Sequence, residues 1–218
     1  MKTFFIGSVI EISKTGGNLS AIAEAKKYYS ENNYVLLDGF LDSGLVDYIN
    51  SMVIQAQPEL FYEEHEGQEH IKGHVFTKNK DLQLAPNILL NQNKVLAALK
   101  EITSEEKLKS AVCYVYRSQE TDRHALHWHQ DLIEQKLFVI SANLSKKDYK
   151  GGEFALRQKS TKREFIRLTN NVPGRMILAR IGEDWEHETT KVIGENPRLT
   201  MAGWGMGHEW RPSKDLIK

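Results

Sequence analysis

Only one cysteine, Cys113, occurs in the 218 residues of the chain. An internal disulfide requires two cysteines, and a zinc site built of thiolates requires several, so the sequence excludes both. A chain without disulfides fits a reducing compartment. We therefore expect a cytoplasmic protein.

Long apolar runs and net charge are missing as well. The first apolar run, Phe4-Phe5-Ile6, is followed at once by Gly7 and is too short for a signal peptide. No later run approaches the roughly 20 residues of a membrane span. The 29 basic residues balance the 29 acidic ones, so no global field attracts nucleic acid or an anionic membrane. We expect a soluble protein with neither of these partners.

The length of the chain suits one domain with a sizeable core, and no repeat or low-complexity segment divides it. We expect a single domain over residues 1–218. Within it, residues 1–109 are predicted to be mostly helical support with a flap. Residues 110–210 are predicted to form a β core.

Helical periodicity dominates the first half of the chain. Leu19–Ser30 is rich in Ala, Glu and Lys, and apolar residues recur at helical spacing after Asp42 and again in Asn91–Ile102. The short apolar run Tyr34–Leu37 predicts a buried strand. Glu59–Asp81 is charged and shows no clear period, so we predict a loop or irregular flap there.

Beyond Lys109 the pattern changes to short strands separated by turn residues. Turn signals fall at Gly151-Gly152, Pro173-Gly174 and Gly194–Pro197. Regular short strands with such turns are typical of a sandwich or barrel. The predicted strands are Ala111–Arg117, Lys136–Leu144, Glu153–Gln158, Glu164–Leu168, Arg175–Ile181, His187–Val192 and Arg198–Trp204.

Three candidate metal ligands lie two residues apart in the stretch Leu126–Asp131. On an extended strand, His127, His129 and Asp131 would all point to the same side. Histidine and one carboxylate suit iron(II), and a second histidine from elsewhere would complete a facial triad with open coordination positions. Taken alone, the pattern also fits a polar strand whose histidines are only hydrogen-bonded.

The order of motifs over about residues 34–204 resembles that of the iron(II)- and 2-oxoglutarate-dependent oxygenases, in particular their prolyl-hydroxylase-like branch. The most specific piece is Arg198, because an arginine about one strand beyond the distal histidine binds the cosubstrate in this family. The pieces, in order, are Asp38-Gly39-Phe40-Leu41 before an amphipathic helix, His129-Gln130-Asp131, Lys150-Gly151-Gly152-Glu153-Phe154, Pro173-Gly174, and His187 followed by Val192, Gly194, Arg198 and Trp204.

This resemblance implies a mainly β fold with N-terminal helices, namely a double-stranded β-helix, which is a jelly-roll, cupin-like barrel of two antiparallel sheets. It implies that His129, Asp131 and His187 ligate iron(II) and leave positions for 2-oxoglutarate and O2. Arg198 would bind the distal carboxylate of 2-oxoglutarate, since a guanidinium fork can donate two parallel hydrogen bonds to it.

Roles for the neighbouring residues stay open in the sequence. Tyr114 and Tyr116 share a strand face, and either could donate to the same carboxylate or simply pack in the sheet. His127 could be a substitute ligand, and for it we favour a hydrogen bond to a ligand or a contact with substrate over a fortuitous position in the pocket. His124 is predicted to be a loop residue, and His208 to belong to a cap on the barrel mouth.

The resemblance implies hydroxylation of an unactivated carbon, with succinate and CO2 as coproducts. Asp131 argues against halogenation, because related halogenases typically have a small residue at this position. A small molecule or amino acid is favoured as substrate, with a peptidyl, prolyl-type hydroxylase as the alternative. Outside the class, the alternatives are a cupin-like metal-dependent isomerase, which would not need Arg198, and a non-catalytic binding barrel.

Overall fold

A computed structural model of the protein describes residues 1–56, 59–65, 68–76, 79–120, 125–132 and 135–212, with the backbone alone for 59–65 and 68–74. None of the helices in these ranges is long and apolar enough to cross a membrane. The helices are α1 Val9–Thr15, α2 Leu19–Asn32, α3 Ser43–Gln55, α4 Lys80–Leu90 and α5 Asn93–Thr103. The strands are β1 Tyr34–Leu37, β2 Glu59–His65, β3 Gln68–Val75, β4 Ser110–Ser118, β5 Leu126–His129, β6 Lys136–Asn143, β7 Lys150–Gly151, β8 Phe154–Gln158, β9 Glu164–Leu168, β10 Met176–Arg180, β11 Trp185–Thr189, β12 Val192–Ile193 and β13 Arg198–Met206.

Side-chain caps begin most of the helices. The Asn18 side chain accepts a hydrogen bond from the backbone of Ala21 at the start of α2, and Asp42 accepts one from Leu45 at the start of α3. Each cap satisfies one of the backbone N–H groups that a helix start leaves without a partner. The two helices therefore begin within one residue of the positions that the sequence predicts.

The prediction of an irregular flap over Glu59–Asp81 is wrong. β2 and β3 form an antiparallel hairpin, and β3 adds it to the edge of the large sheet by pairing with β4. Main-chain hydrogen bonds can hold such a hairpin together even where apolar and polar residues do not alternate. The sequence therefore lacks the alternation from which a strand is predicted. The last two residues of the segment, Lys80 and Asp81, belong to helix α4.

Helix α4, which contains Pro86, was not predicted from the sequence. Proline lacks an N–H group and disfavours helix interiors. Here Asn79 caps the helix by accepting from the backbone of Leu82, and Leu82, Pro86 and Leu90 form a buried stripe at a spacing of four residues. Packing of this stripe outweighs the local cost of the proline.

Three antiparallel sheets make up the β part of the fold. The large sheet has the order β1-β10-β6-β13-β4-β3-β2, and a four-stranded sheet has the order β5-β11-β8-β9. A short pair, β12-β7, links the Gly151 turn with the segment after β11. The observed fold is thus mainly antiparallel β-structure with helices in the first half, as the sequence predicts at that level.

Strand β10 of the large sheet is buried on both faces. In β10, Met176 and Leu178 belong to the apolar cluster on the helix side of the sheet. Ile177 and Ala179 belong to the second cluster, which they share with Phe154 and other residues of the small sheet. Successive side chains of a strand point to opposite faces, so a strand covered on both sides must be apolar throughout. The helices therefore cover one face, and the small sheet covers the other.

Candidate metal centre

The two histidines of the candidate centre are cross-strand neighbours. β5 and β11 pair antiparallel, with His129 directly opposite His187. Their ring centroids are 4.1 Å apart, because residues opposite each other in a sheet project from the same face. Pairing of two strands distant in the sequence therefore brings the predicted distal histidine to the His-x-Asp motif.

Asp131 follows β5 and completes the cluster. Its Oδ2 lies 3.4 Å from Nε2 of His187, and its Oδ1 lies 4.0 Å from Nε2 of His129. One ligand atom from each of the three residues lies within 4.8 Å of the others. The structure thus brings together the three residues that the sequence selects as ligands.

The electrostatic surroundings keep Asp131 ionised. Burial alone would raise the pKa of this carboxyl group, but the hydrogen bond with His187 and the electrostatic interactions with His187, His129 and Lys136 hold the pKa well below its usual range. A carboxylate that is already deprotonated can accept a cation without first releasing a proton. Asp131 is therefore a carboxylate at neutral pH.

A hydrogen bond from the second ring nitrogen fixes the orientation of the His129 ring. Its Nδ1 lies 2.7 Å from the backbone carbonyl oxygen of His127. This carbonyl can only accept a hydrogen bond, so Nδ1 carries the proton and Nε2 keeps the lone pair that faces Asp131. Metal-ligating histidines are commonly held in this way through their second ring nitrogen.

His127 does not point into the centre, contrary to the regular alternation that we assumed. Between the pairs His187↔His129 and Thr189↔Leu126, β5 contains one residue more than β11. Such a β-bulge interrupts the alternation of side chains. Leu126 and His129 line the cavity next to the centre, whereas the His127 side chain is exposed. A contact of His127 with substrate stays a prediction, and its backbone carbonyl holds His129.

A cavity extends from the three candidate ligands between the large sheet and the four-stranded sheet. Much of its wall is apolar, with Phe154, Val139 and Ile140 among the contributors, and the polar groups gather on β4 and β13. Its lining residues are Tyr116, Ser118, Leu126, His129, Asp131, Val139, Ile140, Ser141, Phe154, His187, Thr189, Thr190, Val192, Arg198, Thr200, Ala202, Gly203 and Trp204.

Arg198 and Thr200 present unsatisfied polar atoms to this cavity. Both side chains are buried, and Nε of Arg198 and Oγ1 of Thr200 have no hydrogen-bond partner among the described residues. A buried polar atom without a partner costs about 1–3 kcal/mol, and a charged group costs more. The sequence identified Arg198 but missed Thr200, although the two-residue period of a strand places both on one face.

The Gly151-Gly152 turn packs against Arg198. Gly152 has a φ of +57°, and a Cβ added there would lie 2.8 Å from Cδ of Arg198. A side chain at position 152 would therefore strain the backbone and collide with the arginine. This close approach gives the predicted turn a physical role, which is to leave room for the Arg198 side chain.

The two candidate tyrosines differ in their positions. The Tyr114 and Tyr116 rings are 6.3 Å apart and share one face of β4, but only Tyr116 lines the cavity, opposite Thr200 in the strand register. Burial raises the pKa of the Tyr116 hydroxyl far above its usual range, and the neighbouring Tyr114, Cys113 and Asp131 add to the shift. Tyr116 is therefore a protonated donor.

Two residues that contact Asp131 were given no role in the sequence analysis. The indole N–H of Trp204 donates a hydrogen bond to Oδ2 of Asp131, and Nζ of Lys136 lies 3.5 Å from Oδ1. Counting alternate residues from Arg198 along β13 would have placed Trp204 on the cavity face. No sequence pattern marks Lys136. Its contact with Asp131 depends on the path of the chain between Asp131 and the start of β6.

His208 does not join the cluster. His208 is exposed and is not among the cavity residues. Its backbone carbonyl accepts a hydrogen bond from Ser110. His124, predicted as a loop residue, lies outside the described residues.

The fold is similar to that of solved structures of non-heme oxygenases. No model of a known protein family matches the sequence, and a search of curated proteins finds none that matches it. Solved structures, by contrast, match the fold. An oxidoreductase of the 2OG-Fe(II) oxygenase family from Burkholderia pseudomallei is similar over 96% of this chain and 97% of its own, with a TM-score of 0.64 and 14% identity.

Two further structures show the range of chemistry found on this fold. A prolyl 4-hydroxylase structure from Phytophthora capsici matches 99% of this chain and 73% of its own, with a TM-score of 0.65 and 12% identity. The alpha-ketoglutarate-dependent epimerase SnoN of nogalamycin biosynthesis matches 92% of this chain and 90% of its own, with a TM-score of 0.59 and 14% identity. The predicted resemblance is therefore confirmed at the level of fold, and the activity has to be argued from the site.

Proposed function

We propose that the protein is an iron(II)- and 2-oxoglutarate-dependent dioxygenase that hydroxylates an unactivated carbon. In this proposal the two main sheets form a double-stranded β-helix within one domain. The observation that carries it is the combination of a His-Asp-His cluster with a buried, unpaired arginine in the same cavity. A metal ion alone would account for the first feature, and only an additional anionic ligand accounts for the second.

The residues of the cluster fit iron(II). His129, His187 and Asp131 supply two imidazoles and one carboxylate, the ligand set of non-heme iron(II) oxygenases, and leave coordination positions open. The hydrogen bond from His129 to the carbonyl of His127 fixes the ring that would hold the metal. The buried, ionised Asp131 supplies the negative charge that a divalent cation needs in an apolar setting.

The polar end of the cavity fits the distal carboxylate of 2-oxoglutarate. Arg198 can donate two parallel hydrogen bonds to it, and the hydroxyls of Thr200 and Tyr116 lie on adjacent strands in direct register. A carboxylate bound there would satisfy Nε of Arg198 and Oγ1 of Thr200 at once. Tyr114 is a weaker candidate, because it does not line the cavity.

The chemistry comes from the bound group, and the chain positions it. With iron(II) bound, O2 and 2-oxoglutarate convert R–H into R–OH, with succinate and CO2 as coproducts, so that one oxygen atom enters each organic product. Phe154, Val139 and Leu126 line the cavity with apolar surface, which keeps water away from the reacting atoms. A cupin-like isomerase would make no use of Arg198.

A small molecule or free amino acid is our first candidate for the substrate. SnoN, whose fold is similar, belongs to a biosynthetic pathway for a small molecule. Peptidyl, prolyl-type hydroxylation is the second candidate, and the similarity to prolyl 4-hydroxylases supports it. The balanced charge of the chain argues against a nucleic-acid substrate.

Turnover of 2-oxoglutarate tests the proposal. The protein with iron(II) should release succinate from 2-oxoglutarate under air when a pool of metabolites containing its substrate is added. A parallel pool of proline-containing peptides separates the two substrate candidates. Succinate release that is equal in the wild-type protein and in the His187→Ala variant would contradict the proposed activity.

A further inference from the structure

A lysine lies almost buried beside the metal centre. Lys136 begins β6, and its side chain is 10% exposed. Its Nζ lies 3.5 Å from Oδ1 of Asp131 and 3.7 Å from the centre of the Trp204 ring. The same indole ring donates its N–H to Oδ2 of Asp131. Lys136 thus contacts one oxygen of the Asp131 carboxylate, and Trp204 contacts the other.

The position of Lys136 is unfavourable for simple electrostatic reasons. A lysine ammonium is strongly hydrated, so its burial is costly unless it is paired. Its partners in the described part of the chain are Asp131 and Trp204. Once Asp131 binds a divalent cation, the ammonium and the metal repel each other. By charge alone, therefore, Lys136 weakens metal binding.

We propose that Lys136 is a positioning residue that fixes the carboxylate of Asp131 in the orientation the metal requires, an inference that rests on the proposed function. Lys136 and Trp204 clamp the carboxylate between an ammonium and an indole N–H, and the ring stacked under Nζ keeps the lysine in place. Residues that orient metal ligands typically contribute 10- to 100-fold to metal affinity. The proposal requires this gain to exceed the loss caused by charge repulsion.

The proposal predicts the sign of the effect of removing the charge. Lys136→Met keeps the length and packing of the side chain, and should weaken iron(II) binding by about 10- to 100-fold. If Lys136 acted only through its charge, the same variant would bind iron(II) more tightly. Lys146→Met is the matched control, because Lys146 forms an exposed ion pair with Asp47, and its iron(II) affinity should equal that of the wild-type protein.

The measurement is an anaerobic competition between the protein and a chelator for iron(II), which does not depend on turnover. Circular dichroism and thermal unfolding establish that the variant is folded, and Lys136→Gln replaces Lys136→Met if the latter does not fold. Unchanged or tighter binding of iron(II) by the variant overturns the proposal. An equal loss of iron(II) affinity in the Lys136 variant and in Lys146→Met also overturns the proposal.

A second titration distinguishes this inference from the proposed function. With iron(II) at saturation, the Lys136 variant should bind 2-oxoglutarate with an affinity within about threefold of the wild-type value, because Lys136 does not line the cavity. A selective loss of 2-oxoglutarate affinity, with iron(II) affinity retained, overturns the role of Lys136. If the wild-type protein binds iron(II) but no 2-oxoglutarate, the proposed function fails instead.

Discussion

Arg198 combines burial with an unsatisfied guanidinium nitrogen. The residue is 9% exposed, and no carboxylate in the described ranges forms an ion pair with it. A cation in such a place is stable only if an anion joins it. The guanidinium faces the cavity that contains the candidate metal ligands, so the proposed function assigns the missing anion to a bound ligand.

Two substitutions of Arg198 test this requirement. Arg198→Lys keeps the charge but loses the planar fork, so it should weaken 2-oxoglutarate binding. Arg198→Ala leaves the carboxylate without a partner, at a cost of about 3–5 kcal/mol in a dry site, which corresponds to about two to four powers of ten in affinity.

The measurement is a 2-oxoglutarate titration of each variant, together with its iron(II) stoichiometry. Iron binding should be retained in both variants, because Arg198 contacts none of the three ligands. An unaltered affinity for 2-oxoglutarate would remove Arg198 from the site and would favour the cupin-like isomerase.

At the scale of elements, the turn between β7 and β8 controls the position of Arg198. Gly152→Ala should cost about 1–2 kcal/mol in stability, because φ at this residue is positive. It should also displace the Arg198 side chain and weaken 2-oxoglutarate binding about tenfold, a loss equivalent to about 1.4 kcal/mol.

Gly194→Ala is the matched control for this turn. Gly194 has a φ of +87°, and an added Cβ would meet no atom within 4 Å. The variant should therefore share the loss of stability and keep the affinity for 2-oxoglutarate. Equal affinities in the two glycine variants would contradict a steric role for Gly152.

The β2–β3 hairpin is attached to the large sheet only through the end of β3. His74 and Val75 pair with Arg117 and Tyr116 of β4, and the rest of β3 pairs with β2 alone. An edge hairpin of this kind opens more easily than a central strand. We predict that its amides exchange hydrogen quickly in the free protein and more slowly when substrate is bound, as expected for a lid.

Hydrogen exchange detected by mass spectrometry tests this prediction, with the central strand β13 as an internal reference. Exchange in β13 should be slow with and without substrate, because β4 and β6 flank it. Identical exchange of the hairpin in the free and the bound protein would exclude a function as lid.

At the scale of the whole molecule, an ion pair between Arg175 and Asp38 joins the N-terminal part to the β core. Nη2 of Arg175, just before β10, lies 3.3 Å from Oδ2 of Asp38, just after β1, and Nε donates to the other oxygen. Partial burial would raise the pKa of Asp38, but the hydrogen bonds from Arg175 and Thr3 and the charge of Arg175 lower it below its usual value.

A group with a lowered pKa stabilises the fold above its unfolded pKa, which is about 4, and loses this contribution as the pH falls through the folded pKa. Asp38→Asn should therefore reduce the free energy of unfolding at pH 7 and have a smaller effect near pH 3. Urea unfolding of both proteins at the two pH values measures this. A difference in the free energy of unfolding between the two proteins that grows towards low pH would contradict a stabilising role of the ionised Asp38.

Much of the fold could be predicted from the sequence where burial determines the residue pattern. β10 is apolar throughout because both faces are covered, and β9 has the predicted bounds Glu164–Leu168. The hairpin β2–β3 and helix α4 could not be predicted in this way. Backbone pairing stabilises the hairpin, and tertiary packing stabilises the helix around Pro86.

The cluster of candidate metal ligands could be predicted because the spacing and order of such ligands are constrained by chemistry. His129, Asp131 and His187 come together as expected. The orientation of His127 could not be predicted, because it depends on one extra residue in the pairing of β5 with β11. Lys136 likewise reaches Asp131 only through the return of the chain into β6.

The central claim is that one cavity binds iron(II) and 2-oxoglutarate together, and an anaerobic titration tests it most directly. Iron(II) followed by 2-oxoglutarate should produce the weak visible charge-transfer band of the chelate in the wild-type protein. The band should be absent in His187→Ala, which lacks a metal ligand. A wild-type protein that binds iron(II) but develops no band at saturating 2-oxoglutarate would contradict the account.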